Sequence, residues 1–222
     1  MPYIGQQPAP VPLTASDVTD GIITSAKIAD GTITSGDIAS GVITSDMVKI
    51  AQTNVTSAVS SVDFIDGTGG VVIDSTYRIY KIFATFKPST NGEALGFRLI
   101  NSGTNVRTSG YLAEAHRSYY TGGTSRANST SILLRVIGGA QNASDQRSNH
   151  EATFYNMSDS SLNTTANLIY AAIDGSGNTE NQVNQGTGGG VYTTAEAHNG
   201  IRILADNGNI ESGEFTLYGI KG

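Results

Sequence analysis

The stretch from Leu13 to Ile50 is a ten-residue unit used four times: LTASDVTDG, IITSAKIADG, TITSGDIASG and VITSDMVKI. Leu13, Ile23, Ile33 and Ile43 share a column, as do Val18, Ile28, Ile38 and Val48, and Gly21, Gly31 and Gly41 mark the joints. A large apolar residue thus falls at every fifth position. On an α-helix five residues advance about 500°, so the apolar stripe would wander round the helix. On a strand an odd step alternates faces. One long helix, one strand and a heptad coiled coil are all excluded. The spacing predicts a composite unit: an extended Gly-Thr-Ile-Thr piece, one helical turn capped by Thr24 or Ser25 and running through Ile28, then a left-handed glycine at Gly31.

Such a unit cannot bury its own isoleucines. Ordering backbone costs roughly 1–2 kcal/mol per residue, and two aliphatic side chains per ten residues return only about 3–6 kcal/mol when fully buried. Wound with copies of itself, the unit can present both columns to a shared axis. The expectation is an oligomeric stalk over residues 13–50, a homotrimer, with Val18, Ile23, Ile28, Ile33, Ile38, Ile43 and Val48 as its core. The competing expectation is a disordered linker, but linkers are usually poor in branched aliphatics.

Before the repeat, residues 1–12 read MPYIGQQPAPVP and hold four of the chain's five prolines. Proline fixes φ and removes a donor, so this is an extended tail. Its Pro2, Tyr3, Ile4 and Gly5 suit insertion into a groove on another protein. After the repeat, residues 51–222 change to short alternating runs separated by Gly, Asn, Ser and Asp. The run 77–86, YRIYKIFATF, has apolar groups on both faces and reads as a central strand. Further strands are expected at 94–100, 111–120, 131–137, 151–157, 167–173, 191–194, 200–204 and 214–220. No stretch has helical periodicity. The fold class expected is all-β, an antiparallel β-sandwich of jelly-roll-like arrangement. Residues 174–190, rich in Gly, Asn and Gln, are expected to form a long exposed loop.

The formal net charge of −6 argues against a nucleic-acid groove. The chain has no Cys, so disulfides and thiolate metal sites are excluded. No run approaches the length needed to cross a bilayer, so membrane insertion is not expected. Three histidines have acidic neighbours: Glu114 with His116, His150 with Glu151, and Glu196 with His198. No H-E-x-x-H, G-x-S-x-G or P-loop accompanies them, so no catalytic residue, metal ligand or cofactor is expected. The glycines at 186 and 188–190 lack a following helix with Lys-Ser/Thr and read as turns rather than a phosphate cradle. Arg117, Tyr119 and Tyr120 before a Gly-Gly turn, and Tyr192 after the loop, are candidate glycan contacts, since aromatic faces grip sugar rings. Packing inside the sandwich is the alternative for each tyrosine.

The start MPYIGQQPA, the ITSAKIADGTITS decapeptides and the ending FTLYGIKG together resemble tail-fibre and related virion appendage proteins of marine tailed bacteriophages, notably those of cyanobacteria. The resemblance implies a virion structural protein with an N-terminal segment docked on other virion proteins, a thin repetitive stalk and a trimeric β-rich knob for host attachment. A capsid decoration or head-fibre protein with no receptor role is the alternative. A glycan-cleaving appendage is a third; it needs paired carboxylates in a groove.

Overall fold

The computed structural model describes residues 14, 18, 21, 23–29, 32, 33 and 37 of an N-terminal unit, Met1–Ser45, and residues 46–119, 124–136, 140–142, 146–174 and 182–221 of a C-terminal unit, Asp46–Gly222. The side chains of Ser25, Tyr119, Asp174 and Gln182 are not described. The docking residues Pro2, Tyr3, Ile4 and Gly5 lie outside the described residues, as do Ile38, Ile43 and Tyr120.

In the N-terminal unit Ser25–Lys27 forms a single 3-10 turn closed by Lys27 N donating to Thr24 O at 2.9 Å. Gly21, in the column of Gly31, has φ of 77°, the left-handed region glycine enters freely. Val18, Ile23, Ile28 and Ile33 are all exposed in the isolated chain.

The C-terminal unit is all β. Its strands are β1 (Met47–Val55), β2 (Ser61–Ile65), β3 (Ile79–Pro88), β4 (Leu95–Asn101), β5 (Asn105–Val106), β6 (Tyr111–Tyr119), β7 (Thr124–Ser129), β8 (Leu134–Arg135), β9 (Ser148–Tyr155), β10 (Thr165–Asp174), β11 (Gln182–Tyr192), β12 (Gly200–Ala205) and β13 (Ile210–Ile220). They form two antiparallel sheets. The larger runs β1-β13-β3-β9-β10-β11-β6-β7; the smaller runs β2-β12-β4-β5, with β8 also on β4. The pairings are nested along the chain: β1 with β13, β2 with β12, β3 with β9 and β4 with β8.

The core lies between the sheets. Tyr80, Ile82 and Phe86 of β3, Phe154 of β9 and Leu168 of β10 are buried with Phe64 of β2, Leu95, Phe97 and Leu99 of β4, and Ile201 and Ile203 of β12, in one cluster. Phe97 and Phe154 meet edge to face across it, centroids 5.9 Å apart. The Tyr111 hydroxyl joins the sheets at one end: it accepts from Leu99 N and donates to Arg107 O, both at 3.0 Å.

Two expectations fail here. The C-terminal unit begins at Asp46, and Val48 belongs to β1, opposite Gly219, rather than to the repeat. Ala51 occupies the joint-glycine column, so nothing turns the chain and it continues extended, with a register shift between Lys49 and Ala51. The exposed loop over 174–190 is instead largely strand, because β10 and β11 pair in register from Asp174↔Gln182 to Thr165↔Val191.

Candidate functional site

The glycine-rich run 186–190 is inside a strand. Gly186 and Gly190 face inward, and a Cβ there would overlap the carbonyl oxygens of His116 and Leu133 respectively. Leu133 N donates to Phe97 O at 2.9 Å, which holds the segment entering β8 against β4 while its backbone lies over β11. Glycine is what lets two backbones approach this closely. The run is therefore neither the turn nor the phosphate cradle weighed from sequence.

The outward face of this part of the sheet mixes polar side chains with exposed Leu112 and Val183, and it is hollowed. Glu114 and His116 share that face of β6, with His116 Nε2 3.2 Å from Glu114 Oε1. Arg126, opposite His116 on β7, places Nε 3.2 Å from the same carboxylate oxygen and donates to His116 Nδ1 at 3.4 Å. With Nδ1 accepting from Arg126, Nε2 stands at ion-pair distance from Glu114. A hollow of about 540 Å³ lies over Leu112, Glu114, Asn128, Gly189 and Val191. A second, about 300 Å³, lies over Glu114, His116, Thr187 and Gly189. A scan against protein-family models and a search of curated proteins find no match to this chain.

The other histidines are buried. His198 Nδ1 lies 2.9 Å from Thr164 Oγ1, and its Nε2 is 3.3 Å from Glu196 Oε1, an ion-pair distance without hydrogen-bond alignment. Arg107 clamps Glu196 with Nε on Oε1 and a terminal nitrogen on Oε2, both at 2.6 Å. Burial pushes His198 down to about 4, against the pull of Glu196 toward the charged form. Burial would raise the Glu196 carboxyl, but the Arg107 hydrogen bonds and charge outweigh it and hold it low. The order hydroxyl–imidazole–carboxylate is that of a nucleophile triad. Thr164, however, is fully buried, so its hydroxyl is shut off from any substrate. His150 is buried against Phe86 and Tyr170, with Nε2 2.7 Å from Ser148 Oγ, and burial pushes it down to about 3. Among the described residues no group of three or more His, Asp or Glu is arranged to hold a metal ion.

Of the sequence-expected glycan contacts, Tyr192 and Arg117 face inward, whereas the Tyr119 side chain and Tyr120 lie outside the described residues. Tyr192 is a core residue: its ring is edge-on to His198 at 5.1 Å and tilted on Tyr111 at 5.2 Å. It faces inward with Gly190, so it cannot stack on a sugar. Arg117 also faces inward, half-buried, opposite Gly186. Sequence reasoning paired Glu114 with His116 but missed Arg126, Asn128 and Gly189. Gly189 carries no signal of its face in sequence, since a run of glycines shows no alternation; its face follows from the register once β11 is known to be a strand.

Proposed function

We propose that this chain is a virion structural protein of the bacteriophage-appendage kind: a docking tail at residues 1–12, a trimeric decapeptide stalk, and a C-terminal knob whose work is attachment and display rather than catalysis. One observation carries the reading. The repeat's described apolar columns, Val18, Ile23, Ile28 and Ile33, all stay exposed in a single chain, while the C-terminal unit, despite exposed Leu112 and Ile169, has a buried core of its own. Strictly periodic isoleucines left in water call for a partner with the same period, and another copy of the chain is the partner that has it.

The knob reads as a jelly roll with two added hairpins. What supports this is the nested pairing. Labelling β1, β2, β3, β4, β8, β9, β12 and β13 in order as eight strands gives sheet orders 1-8-3-6 and 2-7-4-5, those of two interlocked Greek keys. The β6–β7 and β10–β11 hairpins extend the first sheet beyond β9. Jelly rolls are common in capsid and lectin domains, which suits both the fibre reading and its alternative, a capsid decoration protein.

The test is a triple replacement, Ile28, Ile33 and Ile38 each to Asp, read by light scattering and thermal unfolding. The reading expects assembly to be lost and the knob's transition retained. An unchanged native mass would refute an isoleucine-lined axis.

A further inference from the structure

We propose that the outward face of β11, β6 and β7 is a binding trough for a neutral oligosaccharide, floored by Gly189. The fold requires glycine at 186 and 190 but not at 189. A Cβ on Gly189 would meet only Asn167 Oδ1 at 3.7 Å and Ala166 O at 3.8 Å, ordinary contact distances. Its φ is not among the left-handed glycine angles. Neither packing nor backbone strain explains the missing side chain.

Its consequence is on the surface. Asn167, Gly189, Glu114 and Asn128 form one row across β10, β11, β6 and β7. Neighbouring strands lie about 4.8 Å apart, so Asn167 and Glu114 stand about 10 Å apart with no side chain between them. Thr187 and Val191 bound the gap along β11, and Leu112, 61% exposed, adds an aliphatic flank. The larger hollow lies over the Gly189, Glu114 and Asn128 part of the row and the smaller one over Thr187, Gly189 and Glu114; the larger is within the roughly 300–1,000 Å³ of small-molecule sites.

The chemistry of the row selects the ligand. Among the described residues the Asn167 and Asn128 amides make no side-chain hydrogen bond within the chain, so each has donors and an acceptor to offer. Glu114 engages His116 and Arg126 through Oε1, and among the described residues its Oε2 has no partner, which leaves it for an outside donor. Amides and a carboxylate are directed partners for hydroxyls. The Glu114 and Arg126 charges offset each other, which gives no excess cation to hold an anionic ligand. The bare Gly189 backbone, Leu112 and Val191 offer apolar surface to the C–H face of a sugar ring. A trough open along the sheet admits a chain passing through. The choice of a polymeric glycan rests on the display reading above.

The experiment presents the full chain to an array of neutral hexasaccharides derived from glucan, mannan and galactan, beside uronate hexasaccharides of equal length. At least one neutral hexamer should bind. Gly189→Val should weaken that binding at least ten-fold with native mass and melting temperature unchanged, because valine suits a strand. Glu114→Gln and Asn128→Ala should weaken it as well. The proposal is overturned by failure of every neutral hexamer, by equal binding in Gly189→Val, or by preference for the uronates. A fall in native mass on Gly189→Val would also overturn it and assign the face to contact between copies. A trimer that binds no hexamer removes the trough and leaves the appendage reading; a monomer that binds one does the reverse.

Discussion

Acid should unfold the C-terminal unit through its two buried histidines. His150 is held near 3 and His198 near 4, both below the ordinary 6.5. The unfolded chain therefore takes up protons first as pH falls. The stability that the neutral rings contribute is fully present above about pH 6.5 and is lost as pH drops through the window toward 4 and 3. At pH 4 the solution lies about 2.5 units below the histidine pKa of the unfolded chain, while in the folded chain the His150 ring remains largely neutral and the His198 ring is about half protonated, so each histidine withdraws about 3 kcal/mol. Together they remove about 6 kcal/mol, comparable with the roughly 5–15 kcal/mol net stability of a domain. Glu196, held low by Arg107, acts in the same direction below its own range. Urea unfolding at pH 7, 5.5 and 4, followed by far-ultraviolet circular dichroism, measures the loss. The double variant His150→Gln, His198→Gln should be less stable than the parent at pH 7 yet nearly flat from pH 6.5 to 4.5. A parent that loses under about 1 kcal/mol by pH 4, or a double variant as steep as the parent, would refute the assignment of acid lability to these rings.

Other substitutions probe the core and the close approach at β11. Gly190→Ala should destabilise by about 2–4 kcal/mol, because its Cβ overlaps the Leu133 carbonyl, while Gly189→Ala should be near neutral; thermal unfolding separates the two. Phe154→Ala removes a fully buried ring that contacts Phe97 across the sheets and should cost about 3–5 kcal/mol in urea unfolding. Glu196→Gln leaves the partly buried Arg107 guanidinium without its carboxylate and should cost about 1–3 kcal/mol, less in high salt, as a melting-temperature series will record.

Strands were legible where side chains carried the alternation. Residues 77–86 presented apolar groups to both sides, and β3 sits between β13 and β9. β11 was illegible because its glycines have no side chain with which to alternate, so a central strand resembled a loop. β7, TSRANS, was missed because it is an edge strand with no buried position to demand an apolar residue. Val48 fits the repeat's periodic column, but pairing with the last strand, far away in sequence, outranks the local pattern. Residue type does not say which side of a sheet a ring faces, and Tyr192 faces the core. The surface row of Asn167, Gly189, Glu114 and Asn128 comes from four strands, and only the register brings it together.

The most direct test of the appendage reading is native mass by multi-angle light scattering, on the full chain and on residues 46–222 alone. Three copies of the 23.1 kDa chain, about 69 kDa, are predicted for the full chain, as befits a closed cyclic assembly. The same multiple for residues 46–222 would put part of the trimer contact in the knob; a monomer there would put the assembly energy in the repeats. A full chain that runs as a monomer would contradict the account.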